Sequence, residues 1–443
     1  MNIKGRIVTL RAIEATDLPA LHQWGNDPDL WTMLGGWHFP TSLCQTQQWF
    51  EGLASDPLNQ RFAIDVPGTG LVGTANLVDI NWKDNNAFHG MMIGDPSMRG
   101  KGVGVDVIMA TMRYAFDELH MQRLDGSMIA FNEASVGVYT GKCGWQVEGR
   151  QRVIFTPDGS MDWSRTHAQA PAAVLLKDRI RVYYGTRNAE NRSRTGFIEV
   201  DRADPTRLLH VQDTPVMDLG KPGTHDEDGV IASQVIAVGD EMWMYYGGVS
   251  RGGNVPYRMS IGLARSRDGG LTFERAFDGP VVDRTPDEPY MTMAPNILVE
   301  DGVWTMWYGS GTGWVEIDGK FEPTYQIKLA HSDDGLHWRQ TNHACIPKLD
   351  PLEANTRPSV LRTPEGYEMW FSYRNSREYR DGAGSYRWTR RPDPGGLQPG
   401  GTGWNSATMS YPCVLAADGR KVMFHNGDGF GQSGIGCAIL EAA

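Results

Sequence analysis

The residues Arg99-Gly100-Lys101-Gly102-Val103-Gly104 stand between an apolar run ending at Ile93 and an amphipathic stretch. Glycines at 100, 102 and 104 let the backbone take positive φ and come close to a ligand. A turn made there opens a helix whose first N–H groups have no internal partner, so a diphosphate can accept from them. No acidic residue on a second strand follows about twenty positions later, as a dinucleotide site needs, and no Gly-Lys-Ser/Thr follows as in a P-loop. Downstream stand Asn132, Ser135 and Tyr139. The spacing of Ser135 and Tyr139 puts both on one helix face. A phenol of pKa about 10, partly buried, can give a proton to a leaving group. Asn132 and Ser135 are equally good helix caps.

These groups need strands and helices to hold them. Arg6 to Arg11 alternates as a strand, and Thr16-Asp17-Leu18 can cap a helix carrying Leu18, Leu21 and Trp24. A second helix with Trp49, Phe50 and Leu53 follows Ser42, and strands are expected over Phe62–Val66, Leu71–Ile80 and Ala87–Ile93. Val105, Ile108, Met112, Phe116 and Leu119 recur at helical spacing after the glycine loop, and a strand over Arg123–Phe131 leads to Asn132. The order is βααβββ, loop, αβα.

In that order, and with Arg99, Gly102 and Gly104 fitting Arg/Gln-x-x-Gly-x-Gly/Ala, residues 4 to 155 resemble the GNAT N-acetyltransferases, in the branch of ribosomal-protein and amino-sugar acetyltransferases. The resemblance implies an α+β acyltransferase domain over residues 1–155 that takes acetyl-CoA as co-substrate. The loop from Arg99 through Gly100, Lys101, Gly102 and Val103 to Gly104 would hold its pyrophosphate. Backbone amides from Met91 to Ile93 would polarise the acetyl carbonyl, Asn132 with Ser135 would meet the pantetheine arm, and Tyr139 would protonate the CoA thiolate. Relatives often place a Glu where this chain has Phe88, so the base is open: His89 is one candidate, Asp79 and Asp84 are others acting through water.

From about residue 156 helical periodicity gives way to short strands dense in Trp, Tyr, Met and Gly. Strand cores ending at Gly185, Gly247, Gly309, Ser372 and His425 recur with periods of 62, 62, 63 and 53 residues. A repeat of this length, each block unable to bury its own face, predicts a closed radial array: an all-β five-bladed propeller over residues 156–443. Ser266–Phe273 and Ser332–Trp338 read as structural turn boxes. The fourth block lacks this hairpin, passing from Gly384-Ser-Tyr-Arg387 straight to Trp388-Thr-Arg-Arg391, so blade four is expected to be irregular.

This region resembles the five-bladed glycoside hydrolases of families 43, 32 and 62. By that resemblance Glu288 takes the place of the general acid and Asp228 that of a second carboxylate. Blade one, which should supply the base, offers Thr166-His167-Ala168-Gln169 instead. Either Asp226 or His167 substitutes, or the propeller binds sugar without cleaving it. Arg357, with Arg187, Arg251 and Arg374, could hold an anionic ligand at the pore mouth.

The chain has 443 residues, 42 Lys and Arg against 53 Asp and Glu, and a net charge of −11. This argues against nucleic acid and an anionic membrane surface as partners. The first residues lack the apolar core of a signal peptide, no run approaches a membrane span, and five scattered cysteines without Cys-x-x-Cys suit the cytoplasm and indicate no metal site. Relatives carry further strands after residue 155, which leaves the acetyltransferase sheet to be completed by the propeller or by the second subunit of a homodimer. The expected function is acetyl transfer to a primary amine, best an amino sugar or nucleotide-linked amino sugar of glycan biosynthesis, beside a sugar-binding or sugar-hydrolysing propeller. Two other divisions of labour fit: a scaffold propeller beside an acetylator of protein N-termini or small amines, and a hydrolase with a CoA-binding module.

Overall fold

The computed structural model describes residues 2–34, 40–82, 85–147, 149–317, 319–348, 351–364, 366–374, 404 and 408–440. Two compact units divide the chain between Val147 and Glu148. The first has a sheet in the order β1 (Ile3–Lys4), β2 (Thr9–Ala12), β3 (Gln60–Val66), β4 (Gly70–Asn81), β5 (Asn86–Ile93) and β6 (Arg123–Asp125). It is antiparallel except for β5 and β6. Helices α1 (Leu18–Gly25), α2 (Pro28–Thr32) and α3 (Leu43–Leu53) lie between β2 and β3 in sequence, α4 (Val103–Arg113) between β5 and β6, and α5 (Glu133–Cys143) after β6.

Alternation along β3 explains the layering, because successive side chains point to opposite faces. Ile64 packs with Leu10, Val72 and the Val103, Val107 and Ala110 stripe of α4. Its neighbour Ala63 packs on the other side with Leu18 and Leu21 of α1 and Phe50 of α3. Ser42 starts α3 with a reciprocal cap, its hydroxyl accepting from the Gln45 N–H and the Gln45 side chain from the Ser42 N–H. The expected strand over Arg123–Phe131 shrinks to β6, since only three residues find partners on β5.

The second unit is built of repeated antiparallel sheets. Blade one holds β8 (Thr166–Leu175), β9 (Arg179–Arg187), β10 (Ser193–Asp201) and β11 (Leu208–Val211); blade two holds β12 (Gly229–Val238), β13 (Glu241–Arg251), β14 (Tyr257–Ser266) and β15 (Glu274–Arg275). Blade three holds β16 (Thr292–Glu300), β17 (Val303–Ile317), β18 (Lys320–Ser332) and β19 (Arg339–Ala344). In blade four β20 (Ala354–Thr363) and β21 (Gly366–Arg374) pair, and the Gly384–Arg391 stretch on which its irregularity was expected lies outside the described residues. Blade five joins β22 (Ser410–Ala417), β23 (Arg420–Asn426) and β24 (Ile435–Leu440) to β7 (Gly149–Phe155).

That last pairing corrects the expected boundary. Residues 149–155 do not end the acetyltransferase sheet; Gly149 to Phe155 pair with Leu440 to Ile435 and supply the outer strand of blade five. The register also aligns Ser372 with Asn426 rather than His425, because Ser372 faces Thr356 as Asn426 faces Ser410. The turn boxes are structural, as expected: Asp268 accepts from the Ser266 hydroxyl and the Leu271 and Thr272 N–H groups, and these bonds hold its carboxyl down at about 2.

Every innermost strand carries an irregularity at one register: Ala170-Pro171, Ser233, Ala294-Pro295, Arg357-Pro358 and Tyr411-Pro412 each interrupt pairing with the second strand. Ala170, Ala294, Arg357 and Tyr411 have φ of 53°, 49°, 55° and 57°. Left-handed backbone before proline is strained, and it persists only where the surroundings fix it. They do so through the next residue. The Gln234 side chain accepts from the Ile297 N–H, Asn296 from Val360 at 3.0 Å, Ser359 from Val414 at 2.8 Å, and the Cys413 sulfur from Ala173 at 3.1 Å. Each bond joins one blade to the next, and the last returns from blade five to blade one. Ala172, at the same register, has no acceptor, and Thr195 joins blades one and two instead, donating to the Val230 carbonyl and accepting from the Ala232 N–H.

Asn296→Ala leaves the Val360 N–H without its acceptor and should cost about 1–3 kcal/mol. Urea unfolding followed by tryptophan fluorescence reads this, and Asn296→Asp, which keeps an acceptor oxygen, should retain most of the stability.

Candidate functional site

In the first unit the loop after β5 has the features of an anion cradle. Asp95 caps the turn Pro96–Met98, and the Arg99 guanidinium donates to the Ile93 carbonyl at 3.2 Å. Gly100 and Gly102 have φ of 76° and 85°, with open space where a Cβ would stand. Gly102 caps α4, and Gly104 packs against Met91, whose Cε would lie 3.1 Å from a Cβ there. Val103 is buried under the first turn of α4, while Lys101 is exposed. Asp106 turns its carboxylate back to the Arg6, Ile7 and Val8 N–H groups at 2.7–3.0 Å, so it is engaged away from the start of the helix.

Pairing between β5 and β6 stops at Phe88 and Asp125. The β6-facing edge of β5 from Gly90 to Ile93 therefore has no strand partner among the described residues. Backbone polar groups on such an edge need partners, and an amide-containing arm supplies them. Beside it Tyr139 of α5 is buried, its ring 5.0 Å from Trp145 in edge-on contact and 5.9 Å from His89. Burial, with Cys143 nearby, pushes the Tyr139 phenol up, so it is a protonated donor at neutral pH.

Two expected roles change in this unit. Asn132 is the N-cap of α5: its oxygen accepts from the Ser135 N–H at 3.1 Å and its nitrogen donates to the Met33 carbonyl at 3.0 Å. Its amide is committed to the fold, and Ser135 is half-buried in the first turn. His89 is 1% exposed, its Nδ1 lies 3.0 Å from the Asn76 carbonyl oxygen, and its Nε2 is buried without a partner among the described residues. Burial lowers its pKa to about 4. A weakly basic ring closed in beside Tyr139 does not suit the base that takes an ammonium proton. Asp79 is exposed with φ of 52°, and Asp84 lies outside the described residues.

The sign of the His89 shift makes a prediction. The unfolded chain takes up the proton near pH 6.5 and the folded one only near 4, so stability of this unit falls as pH drops between these values, by about 3 kcal/mol at most. Amide exchange in α4 and α5 at pH 7 and pH 4.5 should show the loss, and His89→Met should reduce it.

In the second unit the carboxylates expected to act are sequestered. Glu288 is 1% exposed and accepts from the Tyr308 hydroxyl at 2.9 Å, with Lys328 at 3.8 Å. Asp226 is fully buried and accepts from Tyr246 at 2.9 Å, Arg275 at 2.7 Å and Thr224 at 2.9 Å. Each precedes its tyrosine by the same 20 positions, and Ser164 stands at that distance from Tyr184. The acid and tyrosine pair thus recurs in blades two and three, and the fixed spacing is the signal that the general-acid assignment of Glu288 passed over. Asp228 accepts from the Arg251 N–H and is flanked by the Arg192 and Arg251 guanidiniums at 3.6 and 3.7 Å.

The pore mouth holds other chemistry. Arg187 ends β9 and donates to Gln169 at 3.0 Å; Tyr257 opens β14 and meets Trp314 edge-on at 5.4 Å; Arg374 ends β21, donating to Glu322 at 3.1 Å and lying 5.8 Å over the Tyr325 ring. Arg357 is buried and spans the axis, donating to Ser233 O at 2.7 Å and to Pro171 O, so it ties three blades together rather than projecting to solvent. His167 has φ of 62° and its Nδ1 lies 2.9 Å from the Thr166 hydroxyl; burial and Arg187 lower its pKa to about 4, so it is uncharged. The tyrosines were missed in the sequence, although the X-Pro pair recurring at one register marks where Tyr411 enters.

Glu288→Gln and Tyr308→Phe should each lower unfolding stability by about 1–3 kcal/mol, and the double variant should cost less than their sum. Thermal melts of the three variants check this.

The comparisons agree with this division. Residues 8–146 match the Acetyltransferase (GNAT) domain model. The uncharacterized protein Rv1502 of Mycobacterium tuberculosis is 34% identical over 303 residues, covering 67% of this chain and 99% of the relative. The first unit is too short to contain that match, so much of it falls in the propeller. The SPbeta prophage-derived uncharacterized N-acetyltransferase YokL of Bacillus subtilis is 28% identical over 160 residues, covering 36% of this chain and 87% of the relative. A solved glycoside hydrolase shares the fold at 13% identity, with a TM-score of 0.50 over 70% of this chain and 94% of its own. The chain belongs to the family of Rv1502, and it joins a GNAT acetyltransferase domain, of the family that binds acetyl-CoA, to a propeller whose fold is shared with a solved glycoside hydrolase.

Proposed function

We propose that the protein transfers the acetyl group of acetyl-CoA to the primary amine of an amino sugar, free or nucleotide-linked, while the propeller binds a sugar without hydrolysing it. The observation that carries the first half is the juxtaposition of the loop Arg99–Gly104, the unpartnered edge of β5 and the protonated Tyr139 phenol.

The N–H groups that open α4, with the positive-φ glycines before them, would hold the pyrophosphate, and Arg99 would fix the loop to Ile93. The backbone of Met91 to Ile93 would align the pantetheine arm and polarise the thioester carbonyl. Tyr139 would give its proton to the departing thiolate sulfur. Removal of the amine proton falls to water, because Phe88 holds the expected position of an acid and His89 is enclosed. An acceptor delivered as its neutral amine meets that requirement, so activity should rise with pH toward the pKa of the amine.

The second half is supported by the carboxylates. Inverting or retaining hydrolysis needs two carboxyl groups open to the sugar, and Glu288 and Asp226 are closed behind Tyr308 and Tyr246. The amino-sugar reading joins the two halves in one pathway, an association rather than a site argument.

Thiol release from acetyl-CoA in the presence of a panel of amino sugars, nucleotide-linked amino sugars, peptides and polyamines tests the acceptor. Amino sugars should give the highest kcat/KM, and Tyr139→Phe should lower kcat by about 100-fold or more with KM for acetyl-CoA little changed. Preference for a peptide N-terminus or a polyamine would reject the acceptor, and an unchanged kcat would reject the role of Tyr139.

A further inference from the structure

The propeller mouth has a charge imbalance that its own side chains leave open. Arg251 and Arg192 share Asp228, and Arg374 has Glu322. Arg187 and Arg357 have no carboxylate within ion-pair distance among the described residues: Arg187 bonds to the neutral amide oxygens of Gln169 and Asn191, and Arg357 to backbone carbonyls. Removing a guanidinium from water without a counter-charge is costly, and the protein as a whole is acidic, with net charge −11. Two enclosed cations at one pore are therefore a local feature with a cause to be found.

A second observation lies on the same inner strands. Arg357 Nε, both amide atoms of Asn355, Thr356 Oγ1 and Ser410 Oγ, with Asn426 Nδ2 on the paired strand β23, are buried with no hydrogen-bond partner among the described residues. Buried polar groups are nearly always paired, so a concentration of unpaired ones at the register of the strained X-Pro bulges marks a place built for polar atoms from outside the chain. A third is aromatic. Tyr257 with Trp314, and Tyr325 beneath Arg374, line the same end of the blades, where a sugar ring can lay its C–H face. Tyr411 stands in the field of Arg374, Arg187 and Arg357, and burial keeps its phenol protonated as a donor.

We propose that the pore mouth of the propeller binds an anionic sugar, one bearing a carboxylate or a phosphate, with Arg187 facing the charge, Arg357 adding positive potential from beneath, and Tyr257 with Trp314 facing the ring. This rests on the sugar-binding reading of the propeller and adds the charge of its ligand. Guanidinium pairs with either oxyanion; the hydroxyl and amide groups of Thr356, Ser410 and Asn355 suit the remaining hydroxyls. With Glu288 and Asp226 closed off, the sugar leaves uncleaved.

Titration calorimetry on the full chain, with hexuronates, hexose 1-phosphates, their neutral parent hexoses and inorganic phosphate, tests this. At least one anionic sugar should bind ten-fold or more tighter than its neutral parent and than inorganic phosphate. The tighter arm distinguishes carboxylate from phosphate. Its affinity should fall with added salt in the unaltered protein, and Arg187→Gln should lose at least ten-fold. Tyr257→Phe, which keeps the ring, should fold normally and lose less. Neutral hexoses binding as tightly as the anionic ones, or Arg187→Gln binding unchanged, overturns the anionic ligand while leaving a sugar-binding propeller. No binding by any sugar overturns both.

Discussion

The propeller depends on how the inner edges of its innermost strands are satisfied. A strand at the axis has its long ladder on one side, toward its own blade; on the other side β12 makes a single parallel pair with β10, Gly229 with Ser193, and N–H groups further along the axial strands have to be met by side chains of the neighbouring blade. Gln234, Asn296, Ser359 and Cys413 solve this with a side chain that reaches the next blade's backbone. To aim that side chain, the chain inserts a bulge just before it, and the bulge forces Ala294, Arg357 and Tyr411 into left-handed backbone. The strain and the link are one device. The bulge also turns residues toward the axis: the Arg357 guanidinium reaches the Ser233 and Pro171 carbonyls of blades two and one from there.

The same scaffold explains why carboxylates at the hydrolase-like positions need not be catalytic. A buried tyrosine near the end of the second strand in blades one to three, Tyr184, Tyr246 and Tyr308, carries a hydroxyl that calls for an acceptor. Asp226 and Glu288 provide it in blades two and three, each backed by a cation, Arg275 or Lys328. Both carboxylates are therefore bonded within the blade and closed from solvent. In the first unit a buried tyrosine stands in another setting: Tyr139 packs against Trp145 and His89, and burial pushes its phenol up, so it is protonated at neutral pH.

Much of this was legible in the sequence where a pattern repeats or where glycine is required. The loop at Gly100 and Gly102 could be read because only glycine takes those φ values freely, and the blades because Tyr183, Tyr245 and Trp307 recur at a fixed period. Asn132 was ambiguous for a physical reason: the residue types that cap a helix are those that bind a ligand amide. Glu288 and Asp226 misled because a sequence displays a carboxylate but not its burial. Arg357 was seen as a cation without the carbonyls of blades one and two around it, which lie 186 and 124 residues away in the chain. Residues 149–155 carry no mark of their partner, since a strand's alternation is the same whichever sheet accepts it.

Strand β7 has a consequence for how the chain folds as it is made. The strand that completes blade five emerges from the ribosome directly after the acetyltransferase domain, but its partner β24 follows almost three hundred residues later. At ordinary elongation rates of about 5–20 residues per second, β7 waits roughly 15–60 s for its neighbour. During that time it is an unpaired edge, and every blade made in between rests on an open ring. Ring closure is then the most non-local pairing in the propeller, and contacts between residues so far apart in sequence form late.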